Sequence, residues 1–182
     1  KLNKDINNIG LKFNDIVAIK IINYDDNDTK YLLFRELEIN EQFKKKYKSL
    51  KFNENIIRIF ETFKFDKFAF IVMEKMDGDL FDYLITNIFS NKGFYKNKEL
   101  ITIYFARELL RGLNSLHELD IIHNDIKPEN ILVNIKKNTA ERICFTDYGC
   151  SYYKNKKKEE CTTRIYSSPE LLKKIFYDDK IS

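Results

Sequence analysis

Apolar residues along this chain repeat first at the spacing of strands and later at the spacing of helices. Residues 16–22, IVAIKII, are rich in β-branched side chains and predict a strand. The polar stretch YDDNDT (24–29) offers helix caps. Leu32, Leu33, Leu37, Ile39 and Phe43 after it predict a helix over 29–47. NIIRIFETF (55–63) and FAFIVME (68–74) predict two more strands joined by KFDK. MDGD (76–79) breaks the pattern, and Gly78 marks it as a hinge. From Asp79 the period lengthens. Over 98–118, Leu100, Ile103, Tyr104, Leu110, Leu113 and Leu116 return at helical spacing, with Arg107, Glu108 and Arg111 between them. ILVNI and RICFTD predict a short hairpin around KKNTAE, and the lysine-rich residues 148–166 predict a mobile loop. In SSPELL, Ser168 can cap a helix whose first turn suits Pro169. The expected division is a strand-rich part, 1–76, and a helix-rich part, 77–182.

Composition narrows the classes. An apolar fraction of 43% with 14% aromatics predicts a packed core and excludes a disordered chain. The net charge of +4 is mild. Lys44–Lys46 and Lys156–Lys158 lack interleaved aromatics and read as solvated surface, so no nucleic-acid partner is expected. The three cysteines, Cys144, Cys150 and Cys161, form no CxxC pair and are odd in number. They predict free thiols in a reducing compartment, without a disulfide framework and without metal spacing toward His117 or His123. No apolar run reaches the roughly 18 residues of a membrane span, and KLNKDINN has no signal-peptide core. An intracellular protein, cytoplasmic or nuclear, is the expectation.

The candidate chemistry lies in four stretches that stand in one order: VAIK (17–20), HNDIKPEN (123–130), DYG (147–149) and SPE (168–170). Together they closely resemble the eukaryotic protein kinase family, over nearly the whole chain. The resemblance implies an α+β, bilobal fold with an antiparallel-sheet N-lobe carrying one helix and a helical C-lobe. It implies ATP and Mg²⁺ as cofactors and a protein substrate with a Ser/Thr hydroxyl; the regulatory partner stays unknown.

Phosphoryl transfer needs positioning and neutralisation of charge more than covalent help. By similarity, Lys20 holds the ATP phosphates and is oriented by a carboxylate from the next helix. Glu36 fits that role best and Glu38 competes with it; neither has an apolar residue one turn on, where Asn40 and Gln42 stand. Asp125 is implied as the base for the substrate hydroxyl, Lys127 as a cation near the transferred group, and Thr163 as their contact. Asn130 and Asp147 are implied as Mg²⁺ ligands. Gly149 is expected to let the backbone turn sharply beside the metal, and Tyr148, in place of the usual Phe, adds a hydroxyl that needs a partner. Ala18, Met73, Leu132 and the connector from Glu74 to Met76 are implied around adenine, and Asp79 near the ribose. His123 reads as a packing residue. The lysine of DIKPEN resembles serine/threonine kinases, and TTRIYSSPE resembles the cyclin-dependent-kinase-like branch.

Three departures stand out. Only Gly10 precedes Lys20, so a glycine-rich phosphate loop either lies upstream of Lys1, with KLNKD as the second strand, or is absent. YDDKIS resembles the lead-in to a later helix of the family, so the chain is expected to be truncated at both ends and Glu170 to lack its arginine partner. Asn124 replaces the arginine that would pair with a loop phosphate, which predicts that loop phosphorylation, at Thr162 for example, is not the main on-switch. The alternative reading is a pseudokinase or kinase-like binding module without catalysis.

Overall fold

The computed structural model describes residues 15–46, 54–89, 98–137, 139–156, 161 and 163–172. The expected strand at KLNKD, Gly10, Lys157, Lys158, Thr162, the side chain of Glu170 and YDDKIS lie outside the described residues.

Strand β1 (Val17–Asn23) is followed by helix α1 (Asn27–Lys46), β2 (Ile59–Phe65) and β3 (Phe68–Glu74). The sheet order is β1-β3-β2, antiparallel throughout. β3 alternates, sending Ala69, Ile71 and Met73 into the core. Asp26 caps α1 by accepting from the Thr29 N–H at 2.7 Å. Leu33, Glu36, Ile39, Asn40 and Phe43 form the buried face of α1, and lysines 44–46 sit favourably at the negative end of its dipole.

The strand expected over 55–63 starts only at Ile59. Asn55 to Ile57 instead run beside a later strand: Ile57 N–H donates to the Phe145 carbonyl at 3.1 Å and Phe145 N–H to that of Asn55 at 2.9 Å. Ile56 and Ile57 are drawn into the core, which outweighs extending β2.

The expected hinge at MDGD is pinned. β4 (Gly78–Asp79) pairs with β6 (Ile131–Lys136), Gly78 against Val133 and Asp79 against Leu132. Asp77 also accepts from the Ile135 N–H at 2.7 Å. Helix α2 (Leu80–Tyr83) runs into a π-helical turn, Leu84–Phe89. Helix α3 spans Lys98–His117. Its buried side carries Phe105, Glu108, Ser115 and Leu116, whereas Leu100, Ile103 and Leu110 are 62%, 62% and 66% exposed. The apolar periodicity merged two faces of this helix, and among the described residues one of them meets the core. No helix among the described residues is long and apolar enough to cross a membrane.

β5 (Ile121–Ile122) pairs with β8 (Tyr152–Tyr153), and β6 pairs with β7 (Thr139–Phe145). The hairpin is longer than expected, because most of KKNTAE continues the two strands. The segment expected as a mobile loop over 148–166 carries buried residues and short elements where described. Tyr148, Ser151 and Tyr152 are buried, and a 3₁₀ turn covers Arg164–Tyr166 before α4 (Pro169–Leu172). One apolar cluster runs from Ile39, Phe43 and Ile71 to Val133, Phe145 and Leu116. Tyr148 lies within it, edge-on to Phe43 at 5.0 Å between ring centroids. Its hydroxyl finds a partner by donating to the Phe145 carbonyl at 2.8 Å.

Candidate active site

Lys20 projects from β1 to the buried face of α1. Its Nζ donates to Glu36 Oε1 and Oε2 at 3.0 and 2.9 Å and to Asp147 Oδ1 at 3.0 Å. Glu36 is buried, at 4% exposure, so its choice over Glu38 is geometric. Glu38 faces outward and pairs with Lys156 at 3.1 Å. Burial works against the Lys20 charge, but Glu36 and Asp147 outweigh it and hold the ammonium pKa above its ordinary value. Burial pushes the Glu36 carboxyl up, with Lys20 opposing.

Residues 123–130 form the second half of the site. Pro128 opens a 3₁₀ turn, Pro128–Asn130, which brings Asn130 back toward Asp125. Asp125 Oδ1 accepts from the Thr163 N–H at 2.9 Å and its hydroxyl at 2.7 Å. Asp125 Oδ2 accepts from Asn130 Nδ2 at 2.9 Å and lies 2.9 Å from Lys127 Nζ. Lys127 also donates to Thr163 Oγ1 at 2.8 Å. Burial opposes the Asp125 charge, yet Thr163 and Lys127 overcome it and hold this carboxyl below its ordinary range. The four lone-pair directions of the carboxylate are therefore taken.

His123 is a packing residue, as expected. It is 1% exposed and lies 5.5 Å, centroid to centroid, from both Phe145 and Tyr148. Its Nδ1 faces the Asp125 N–H at 3.4 Å, so Nε2 carries the proton and donates to the Thr146 carbonyl at 3.1 Å. Burial lowers its pKa and keeps the ring neutral.

The two halves meet where the Thr146 N–H donates to the Asn130 carbonyl at 3.0 Å. Asp147, next in the chain, adopts φ 63°. The expectation for Gly149 is corrected here: the left-handed residue is Asp147, and a Cβ on Gly149 would meet only ordinary contacts at 3.6 Å. Aspartate tolerates this region because its short side chain bonds locally. Asn130 spends its amide nitrogen on Asp125, both on the backbone carbonyl and on Oδ2, each at 2.9 Å. Its Oδ1 and the second oxygen of Asp147 are hard donors of the kind Mg²⁺ takes, so the residues fit that ion.

On the nucleotide side, Ala18 stands opposite Met73 in the β1–β3 register, and Ala18 and Leu132 pack on the apolar cluster that holds Met73 and Met76. Both methionines are core residues, so Met76 faces inward from the connector. The Glu74 carboxylate also turns away: it accepts from the Arg58 N–H at 2.7 Å and from Arg142 Nη2 at 2.9 Å. Only its backbone is left to line the connector. Asp79 caps α2 by accepting from the Asp82 N–H at 2.9 Å.

Residues 8–182 match the protein kinase domain model. The chain belongs to the protein kinase family. Its sheet, single α1 helix and following helices agree with part of the bilobal kinase fold. Among similar proteins, the MAP kinase kinase MKK1/SSP32 of Saccharomyces cerevisiae is 37% identical over 138 residues, 75% of this chain and 25% of that protein. The Aurora kinase of Eremothecium gossypii is 33% identical over 109 residues, 54% of this chain and 29% of its own. The serine/threonine-protein kinase CLA4 of S. cerevisiae is 38% identical over 82 residues, 43% of this chain and 9% of its own. This kinase chain thus spans less than a third of each of these relatives. Protein kinases use ATP, typically with Mg²⁺.

Sequence reasoning missed three features. Cys150 and Cys161 form a disulfide, with Cα atoms 5.2 Å apart, so the expectation of free thiols is corrected for this pair. They stand eleven positions apart in sequence, with β8 between them. Asn124, at φ 65°, donates its amide to the carbonyls of Cys150 and Cys161 at 3.3 and 2.7 Å. The substitution itself was the signal; its partners were not legible. The Asn55–Glu108 hydrogen bond at 3.1 Å, with Arg107 and Arg111 on the same carboxylate, was also not foreseen and serves to fix α3.

Proposed function

We propose that this chain is the catalytic part of a serine/threonine protein kinase that transfers the γ-phosphate of ATP to a protein hydroxyl. The observation that carries it is the joining of Lys20, Glu36 and Asp147 with a second cluster of Asp125, Lys127, Asn130 and Thr163 through adjoining loops. Lys20 is held charged where phosphate oxygens would gather. Asn130 Oδ1 and Asp147 would hold Mg²⁺, whose chemistry is to neutralise phosphate charge. Asp125 is kept ionised and so can accept the hydroxyl proton. Because its lone pairs are filled, an arriving hydroxyl must displace one donor. Lys127 is the donor with somewhere to go: leaving Asp125, it swings toward the phosphoryl group. Preference for Ser/Thr hydroxyls is supported by the Lys127–Thr163 bond and by relatives named as serine/threonine kinases.

We also propose the division 1–76 and 77–182, supported by β3 ending at Glu74 and by β4 joining β6. The cyclin-dependent-kinase-like branch rests on TTRIYSSPE alone. A binding module without catalysis is the second reading, favoured by Asn124. Titration of the full-length protein with ATP, with and without Mg²⁺, separates the two. The kinase reading expects a saturable, Mg²⁺-dependent rise in Tm that Asp147→Asn abolishes; no Mg²⁺ dependence would favour the binding module.

A further inference from the structure

The Cys150–Cys161 bridge is unused by the chemistry above, yet it lies in the segment that joins Asp147 to Thr163. Cys150 follows Gly149 directly, so the bridge begins three residues after Asp147. Cys161 stands two residues before Thr163, whose N–H and hydroxyl hold Asp125. The carbonyls of both cysteines accept from the one amide of Asn124. Both ends of the bridge are thus hydrogen-bonded to the residue at the position where the kinase family has an arginine. Upstream, Ser151 Oγ donates to the His123 carbonyl at 2.9 Å, so the Cys150 end is anchored independently. Among the described residues, the Cys161 end is held by the bridge and by Asn124.

We propose that Cys150 and Cys161 are a redox modification site, whose disulfide holds the segment leading to Thr163 on the catalytic loop as a phosphate–arginine pair would elsewhere. The proposal rests on the kinase reading of the same site. The oxidant class is a low-molecular-weight disulfide such as oxidised glutathione. One cysteine thiolate attacks a glutathione sulfur, forming a mixed disulfide and expelling one glutathione thiolate. The second cysteine thiolate attacks the mixed disulfide, closes the Cys150–Cys161 bond and expels the second. The protein loses two electrons and two protons, and glutathione disulfide becomes two glutathione thiols. A reducing dithiol reverses the exchange.

Both cysteines are partly exposed, so reagents reach them. Cys144, in contrast, is buried and burial pushes its thiol up to about 12, which leaves it out of exchange at neutral pH. Opening the bridge releases a short closed loop into a larger ensemble, so docking of Thr163 becomes less favourable. Intracellular disulfides, where they occur, are most often transient and sensing, which suits a bridge built beside the reacting groups.

The test equilibrates the full-length protein in glutathione buffers of graded thiol-to-disulfide ratio. Bridge occupancy is read by peptide mapping after thiol alkylation. Phosphotransfer kcat/KM and amide exchange at Thr163, Tyr166 and Ser167 are read on the same samples. The bridged protein is expected to show kcat/KM about tenfold higher and these amides exchanging about tenfold more slowly. Cys150→Ser and Cys161→Ser should each stay at the reduced level at every ratio, and Cys144→Ser should respond as wild type. Equal exchange in bridged and unbridged wild type overturns the proposal, and so does failure to find the Cys150–Cys161 peptide at any ratio. If exchange follows the bridge but phosphotransfer is absent from both forms, the bridge holds the segment as proposed and it is the catalytic reading that fails.

Discussion

Asn124 is the residue at which replacing one side chain separates two physical effects. Its amide donates to two carbonyls of the segment, and its backbone is left-handed at φ 65°. Asn124→Gly keeps that backbone without strain and removes the amide. One bond, to Cys161, is short at 2.7 Å and the other, to Cys150, is longer at 3.3 Å. At roughly 0.5–1.5 kcal/mol for a net hydrogen bond, the two together are worth about 2 kcal/mol. Asn124→Ala loses the same bonds and adds left-handed strain, about 0.5–1 kcal/mol more once the unfolded-state entropy of glycine is set against it. Hydrogen exchange reads this locally. The Thr163 N–H donates to Asp125, Tyr166 N–H to the Thr163 carbonyl, and Ser167 N–H to that of Arg164. A loss of about 2 kcal/mol speeds exchange at these amides roughly 30-fold in Asn124→Gly, with Asn124→Ala faster still. Should Asn124→Gly exchange within threefold of wild type, the amide does not hold the segment. An Asn124→Ala variant slower than Asn124→Gly would refute the backbone argument.

Asn40 is 1% exposed on α1, and neither polar atom of its amide has a hydrogen-bond partner among the described residues. Asn40→Leu should stabilise the protein by about 1–3 kcal/mol in urea unfolding; equal or lower stability would mean that the amide is satisfied. Gly112 on α3 has Phe145 ring carbons at 2.7 Å and the Asn55 Cβ at 3.1 Å from where a Cβ would stand. Gly112→Ala should therefore destabilise by about 1–2 kcal/mol, overpacking exceeding the gain in helix propensity; a raised urea midpoint would contradict the packing. The Asp125 carboxyl is held below its ordinary range in the fold. Its contribution to stability is full above the unfolded value of about 4 and is lost as pH falls through the lower folded value. The stability difference between wild type and Asp125→Asn should be constant from pH 5 to 8 and shrink below about pH 4, and a difference that shrinks instead between pH 5 and 8 would show the opposite shift.

Much of the fold was legible where one physical signal dominates. FAFIVME matches β3 residue for residue because alternation and β-branching agree there. The 20-residue helix α1 was placed to within two residues by its caps and apolar spacing. In α3 the apolar spacing located the helix but not its buried side, since Leu100, Ile103 and Leu110 repeat at helical spacing and are exposed among the described residues. The site was legible as residue types in order. Glu36 over Glu38 was decided by which face of α1 is buried, and two of the four donors on Asp125 come from Thr163, 38 residues away. The disulfide was illegible because two cysteines in an irregular segment carry no spacing rule.

The central claim is that Asp125 receives a proton from a protein hydroxyl during phosphoryl transfer. Phosphotransfer by the full-length protein tests it most directly, with Mg²⁺-ATP, a serine- or threonine-bearing protein substrate, and Asp125→Ala in parallel. Wild type should label the hydroxyl, and Asp125→Ala should lose about 10²-fold or more of kcat while still binding nucleotide. Labelling by Asp125→Ala at the wild-type rate would contradict the claim.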